Sequence, residues 1–119
     1  MIDKLSFSLL VQHMDLFFLV QVAVLILCAV SIGFERKLRD KPFGMRTSIL
    51  IMLGSMIFIK YGGLMVNSFL ETDNPDPSRV LGQVITGIGF LGAGTIMRQE
   101  GMVVGLTTAA TIWVEAAIG

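Results

Sequence analysis

The feature that constrains this chain most is where its charges are missing. Leu16–Phe34 reads LFFLVQVAVLILCAVSIGF, 19 residues without a charged side chain. A helix rising about 1.5 Å per residue needs roughly 20 apolar residues to cross a bilayer's hydrocarbon. Three further apolar stretches follow. Met45–Leu70 is interrupted only by Arg46 and Lys60, Val80–Met97 carries no charge, and Met102–Gly119 carries only Glu115. The spans are placed at residues 16–34, 45–67, 79–97 and 102–119. In lipid every backbone N–H and C=O must be bonded internally, so helices are the default. The alternation of an outer-membrane barrel strand is absent. The sequence therefore predicts an all-α integral membrane protein, a four-transmembrane-helix bundle over residues 16–119. Residues 1–15 read as an N-terminal interfacial segment, with Ile2, Leu5 and Leu9 toward lipid and Asp3, Lys4, Ser6 and Gln12 toward water.

Composition excludes the competing classes. Charged residues are 15% of the 119 and hydrophobic ones 54%, against roughly 25% charge in a soluble domain. A net charge of zero gives no basic field for nucleic acid. The single cysteine, Cys28, rules out a disulfide scaffold and reads as a small apolar filler, and the single histidine, His13, rules out a histidine-rich metal site. A cleaved signal peptide fits poorly, because Asp3 and Asp15 spoil a positive leader and no small-residue cleavage site follows. No nucleophile–base–orienter set exists, and Glu35 and Glu100 lack acid–base partners. The expectation is a protein that is not an enzyme and needs no cofactor.

The basic residues set the orientation. The link 35–46 holds Arg36, Lys37, Arg39, Lys41 and Arg46, whereas 71–79 holds Arg79 against Glu71, Asp73 and Asp76. The first link is expected in the cytoplasm and the second outside. The N-terminus is then outside, the turn Arg98–Gly101 inside and Gly119 near the outer face. Glu35 and Arg39 are helical i, i+4 partners. The basic link as a whole reads as a topology signal that binds lipid headgroups, with an anion or partner site as the alternative. Pro42 and Gly44 turn the chain.

Shifted against itself by 61 residues, the chain places Gly33 on Gly94, Lys37 on Arg98, Gly44 on Gly105, Thr47 on Thr108, Ile51 on Ile112 and Ile57 on Ile118. Such a parallel repeat would give two helical hairpins packed side by side, with Gly44 and Gly105 opening equivalent helices.

The third span, VLGQVITGIGFLGAGTIM, is rich in small residues. Gly82, Thr86, Gly89 and Ala93 share one face, Gly87 and Gly94 mark another, and Gly92 joins them as a candidate packing residue. Small residues let helices approach closely in lipid, so this helix is expected at the centre of the bundle. The alternative is a broken helix that binds an ion or solute. Gly87–Gly92 also fits a dinucleotide fingerprint, but no βαβ unit surrounds it.

Asp76 and Pro77 read as a helix cap and first helical residue. With Glu71 and Asp73 the same acidic cluster offers oxygen ligands for a hard cation. Ionisable groups within spans are functional hypotheses. Lys60, 14 residues after Arg46, is expected to snorkel outward. Thr107, Thr111 and Glu115 are spaced by four and form one polar stripe. Glu115 reads either as hydrogen-bonded glue between helices or as a proton or cation site, with Lys60 as a partner only if the helices are staggered. Trp113 reads as packing. Asp73, Asp76 and Glu115 are the candidate metal ligands.

Four ordered segments, Glu35–Thr47, Asp76–Arg79, Gly87–Gly94 and Gly105–Trp113, closely resemble the MgtC/SapB family of bacterial inner-membrane proteins, over about Ser31 to Gly119. The family motif falls on Glu35, Arg36, Pro42, Gly44, Arg46, Thr47, Asp76, Pro77, Arg79, Gln83, Gly87, Gly89, Gly92, Gly94, Gly105, Thr107, Thr108 and Trp113. The resemblance implies a periplasmic N-terminus and a compact helical membrane domain linked to growth in low magnesium, acid tolerance and survival in host cells. Many members add a fifth helix and a cytoplasmic C-terminal domain, so this chain is expected to be a truncated membrane core or a minimal member. Glu115 stands where members usually have a small or hydroxyl residue, and Lys60 where a neutral one is common. The expected function is a regulator of ion and pH homeostasis under magnesium limitation. It would work through helix contacts with itself, as a dimer or higher homo-oligomer, or with membrane partners, amid membrane lipids. The alternative is an oligomeric ion or small-solute channel lined by Glu115, Thr107 and Thr111.

Overall fold

The structure, a computed structural model, describes residues 4–69 and 78–119, with side chains placed for 16–62 and 78–119. Helix α1 runs Lys4–Leu38 and α2 runs Met45–Phe69. Helix α3 (Ser78–Gly94) leads into a short hairpin, β1 (Met97–Gln99) and β2 (Met102–Val104), before α4 (Leu106–Ile118). The fold is helical apart from that hairpin. Among the described residues one stretch, Leu16–Leu38, is long and apolar enough to cross a membrane, 23 residues at a mean hydropathy of 2.7.

The main differences from the sequence expectation are at both ends of α1, at the end of α3 and at the start of α4. Helix α1 is unbroken from Lys4 and continues to Leu38, so Arg36 sits inside a helix rather than in a link. Helix α3 stops at Gly94, three residues short of the expected end. The expected turn Arg98–Gly101 is part of an antiparallel hairpin in which Gln99 pairs with Met102. Its two loop residues, Glu100 and Gly101, have φ of 48° and 82°, the positive pair that a tight two-residue hairpin demands. Gly105 then opens α4 at φ 93°. A side chain there would collide with the Thr95 carbonyl oxygen, so glycine is required on both counts.

Cross-chain contacts fix the directions. Gly33 meets the Met45 backbone, and Phe18 packs edge-on against Tyr61 with ring centroids 6.5 Å apart, so α1 and α2 are antiparallel. Gly62 meets Val80, and Gly92 faces Ala109. Ser48 bonds Glu115 while Gly119 abuts the Met52 carbonyl, so α2 and α4 run parallel. The basic link 39–44 and the β-hairpin therefore lie at one end. Helices α2 and α4 each begin one residue after the repeat-matched glycines Gly44 and Gly105, and they run parallel as a parallel repeat requires. Their lateral register differs, since Ser48 meets a residue 67 positions on, not 61.

Leu25 and Ala29 of α1 and Met52 and Met56 of α2 form the buried core, with Phe18, Val22, Cys28, Ile32, Ile49 and Leu53 packed around it. Elsewhere large apolar side chains stand open, Leu50 at 71% and Phe90 at 80% exposure. The Cα atoms fill 65 × 30 × 13 Å. With packed helix axes about 8–10 Å apart, the short dimension holds no more than two helices. The central helix is α2, which touches the other three. Helix α3, expected at the centre, packs on α2 and α4 and leaves its remaining surface free.

Candidate functional site

A buried polar cluster joins the two helical hairpins at the basic end. Its centre is Arg36, 4% exposed, which the sequence reading gave to lipid headgroups. Nη2 donates to the Thr108 hydroxyl at 2.6 Å and Nη1 to the Thr111 hydroxyl at 3.1 Å. The same guanidinium donates to the carbonyls of Pro42 at 3.0 Å and Phe43 at 3.3 Å. It thus staples its own link while gripping α4. Phe43 has φ 65°, a costly conformation for a bulky residue, and Arg36 bonds the carbonyls on either side of that strained residue's nitrogen. Five guanidinium donors in a rigid fork suit this task; a lysine ammonium could not span it.

Arg36 can sit here because Gly33, one turn earlier, lets the start of α2 press against α1. A Cβ at Gly33 would strike the Met45 backbone. Beyond Arg36, Glu115 is 2% exposed and accepts a hydrogen bond from Ser48 at 2.6 Å. Arg36 grips Thr111, one turn before Glu115 on α4. Cation, hydroxyls and carboxylate are thereby held away from lipid, as ionisable groups in a membrane must be.

The inward stripe of α4 is Thr108, Ile112 and Glu115, all buried, with Thr111 half-buried. Thr107 is exposed and contributes its carbonyl, which accepts the Thr111 hydroxyl at 2.8 Å. The spacing of four that grouped Thr107, Thr111 and Glu115 drifts off the inward face; spacings of three and four together stay on it. Trp113, expected to pack, is 54% exposed because it lies off that inward face.

Lys60 does not reach Glu115. Its Nζ sits 4.2 Å from the centroid of the Phe18 ring. The stagger between α2 and α4 runs opposite to the one a Lys60–Glu115 pair would need, placing Glu115 beside Ser48 and Lys60 12 residues, about 18 Å, further along. Glu35 and Arg39 form their exposed ion pair at 2.5 Å. Ser48 and Ser55, both buried, were missed by the sequence reading; each reads as one small residue among many in an apolar helix.

Helix α3 forms a second region. A Cβ added at Gly82, Gly87, Gly89 or Gly94 would meet nothing within 4 Å, whereas one added at Gly92 would lie 3.6–3.8 Å from Ala109. The Thr86 hydroxyl folds back onto the Gly82 carbonyl at 2.8 Å, and Ala93 is exposed. Between α2 and α3 runs an open apolar groove of about 570 Å³, with Ile51, Gly54 and Ser55 on one side and Gln83, Gly87 and Leu91 on the other. The Ser55 hydroxyl is buried and has no hydrogen-bond partner among the described residues.

The candidate ligands Asp73 and Asp76, and the cap Asp76–Pro77, lie outside the described residues. Among the described residues no group of three potential metal-binding side chains occurs.

A family model described as the MgtC family matches residues 22–119. YhiD of Escherichia coli (strain K12), whose name proposes a magnesium transporter, is 47% identical over 105 residues, covering 86% of this chain and 48% of its own. Protein MgtC of Brucella abortus (strain 2308) is 42% identical over 88 residues, covering 74% of this chain and 34% of its own. Protein MgtC of Salmonella typhimurium (strain LT2) is 39% identical over 102 residues, covering 86% and 41%. The chain spans about half or less of the length of these relatives. No solved structure matches it.

Proposed function

The chain belongs to the MgtC family of membrane proteins, and from that premise we propose that it is a four-span inner-membrane module that regulates ion and pH homeostasis under magnesium limitation by helix contact. The contact is with a second copy or with another membrane protein. The magnesium connection comes from the relative named for magnesium transport and from the family resemblance. The mode of action rests on one observation: the outer glycines of α3 face open space in a helix of hydrocarbon character. Backbones so exposed are suited to close helix packing in lipid.

The conducting alternative draws less support. Thr111 and Glu115, which would line its path, are already bonded to Arg36 and Ser48. The basic link 35–46 lies in the cytoplasm and the N-terminus in the periplasm, by the distribution of lysine and arginine.

Crosslinking in native membranes tests the mode of action. A defined oligomer or partner adduct is expected, and Gly89→Leu should abolish both the adduct and growth at limiting magnesium. Monomers alone, with unchanged growth of Gly89→Leu, would overturn the proposal. Cysteines at Lys41 and Asp73 test the orientation: the first should resist an impermeant reagent in intact cells and the second should label.

A further inference from the structure

The groove between α2 and α3 has an unmet chemical demand. Ser55 is 3% exposed, lines the groove and leaves its hydroxyl unbonded. Gln83 stands on the opposite wall, its amide making no hydrogen bond among the described residues. Resting on the four-span reading, Ser55 lies ten residues beyond Met45, about 15 Å along α2, near the middle of a hydrocarbon core about 30 Å thick. A phospholipid offers only methylenes at that depth, so an acyl chain fills the groove without answering the hydroxyl. A second helix offers hydroxyls and carbonyls at any depth, and Ser and Gln bond across helices in membranes.

The groove also states what kind of helix fits. Gly54 on one wall and Gly87 on the other have no atom within 4 Å of a notional Cβ, so the entering backbone can come close. Its own face must be narrow and must carry a polar atom at the depth of Ser55. This chain has one such face, the stripe Gly82, Thr86, Gly89 and Ala93 on α3. At about 3.6 residues per turn, that stripe and the groove wall (Val80, Gln83, Val84, Gly87) fall on roughly opposite sides of α3.

Depth supplies the match. Helices α2 and α3 meet at Gly62 and Val80. Counting inward from that contact, Ser55 lies seven residues along α2, about 10 Å, and Thr86 lies six along α3, about 9 Å. Copies related by an axis along the membrane normal keep every residue at its own depth. Thr86 of one copy therefore arrives level with Ser55 of the next. Its oxygen still has acceptor capacity, because its proton is committed to the Gly82 carbonyl.

We propose that the α2–α3 groove receives the small-residue face of α3 from a second copy of this chain, with the Ser55 hydroxyl, buried within one copy, turning about χ1 into the groove to donate to Thr86 of that copy. The two surfaces are different, so the contact is head-to-tail and builds a ring or an open array rather than a closed pair.

The test pairs cysteines between copies in native membranes, in a Cys28→Ala background. Copies carrying Ser55→Cys and copies carrying Thr86→Cys should form a mixed disulfide. The double variant should give a ladder reaching three chains and beyond. Gly87→Leu, which meets nothing inside its own chain, should lower the yield about tenfold. A disulfide between two copies that both carry Thr86→Cys, without the mixed product, would replace the groove with a symmetric α3 pair and overturn the proposal. Phe58→Cys with Gly82→Cys reads the same contact one turn outward, should the first variants fail to accumulate. Absence of both mixed products overturns the inference if the Lys41 and Asp73 cysteines label as expected. If those two cysteines label otherwise, the four-span reading fails instead.

Discussion

The two halves of this molecule treat polar and small residues in opposite ways. At the α1–α2–α4 junction every polar group finds an internal partner: Arg36 makes four hydrogen bonds and Glu115 takes the Ser48 hydroxyl. Its key glycine, Gly33, is small because another backbone occupies the space. Along α3 the reverse holds. Gly82, Gly87 and Gly89 are small with nothing beside them, and the groove holds a hydroxyl with no partner. A saturated junction holds the two hairpins together; the unsaturated helix leaves its outer face open. The same residue type thus carries different information in the two places, and only the neighbours tell which.

Substitutions should separate the halves in a definite order. Arg36→Met should do the most damage. It strips the hydroxyl of Thr108 and two link carbonyls of their donor and leaves Glu115 without the nearby cation, a loss on the order of 3 kcal/mol. Thermal unfolding in detergent or lipid should show it, and Arg36→Lys should recover only part. Gly33→Leu comes next, because α1 and α2 must separate to admit it, at about 1–3 kcal/mol. Lys60→Gln removes the ammonium from the Phe18 face and should cost about 0.5–1 kcal/mol. Arg39→Ala removes an ion pair whose side chains are 70% and 54% exposed, and its effect should stay below about 0.5 kcal/mol. A loss at Arg39 as large as that at Arg36 would erase the distinction between junction and surface.

Much of this arrangement was legible in the chain. The charge-free run Leu16–Phe34 marks the one helix among the described residues that is apolar and long enough to span. Gly44 and Gly105 correctly open α2 and α4, since the repeat aligns them and a turn precedes each. The hairpin was hidden because its strands are three residues long and its turn is Glu-Gly, not the stronger Asn-Gly or Asp-Gly signal. Arg36 was assigned to the surface because a cluster of basic residues reads as a headgroup site. Its burial depends on Gly33 and on the register of α4, and neither is visible in local sequence. Glu115 and Lys60 were both recognised as unusual, but pairing them required a stagger that no spacing supplies; the structure gives them Ser48 and Phe18 instead. Thr108 falls in the family motif, yet a spacing of four draws the stripe one position away, through Thr107. A polar stripe read by constant spacing of four drifts around a helix that turns every 3.6 residues.

The central claim is that the outer face of α3 serves contact and not folding. Gly89→Leu in lipid vesicles tests it most directly, with unfolding stability and self-association by energy transfer measured on the same sample. Stability should stay within about 0.5 kcal/mol of the parent, as for a surface change that touches nothing, while association weakens at least about tenfold. Unchanged association, or a loss of folding comparable to Arg36→Met, would contradict it.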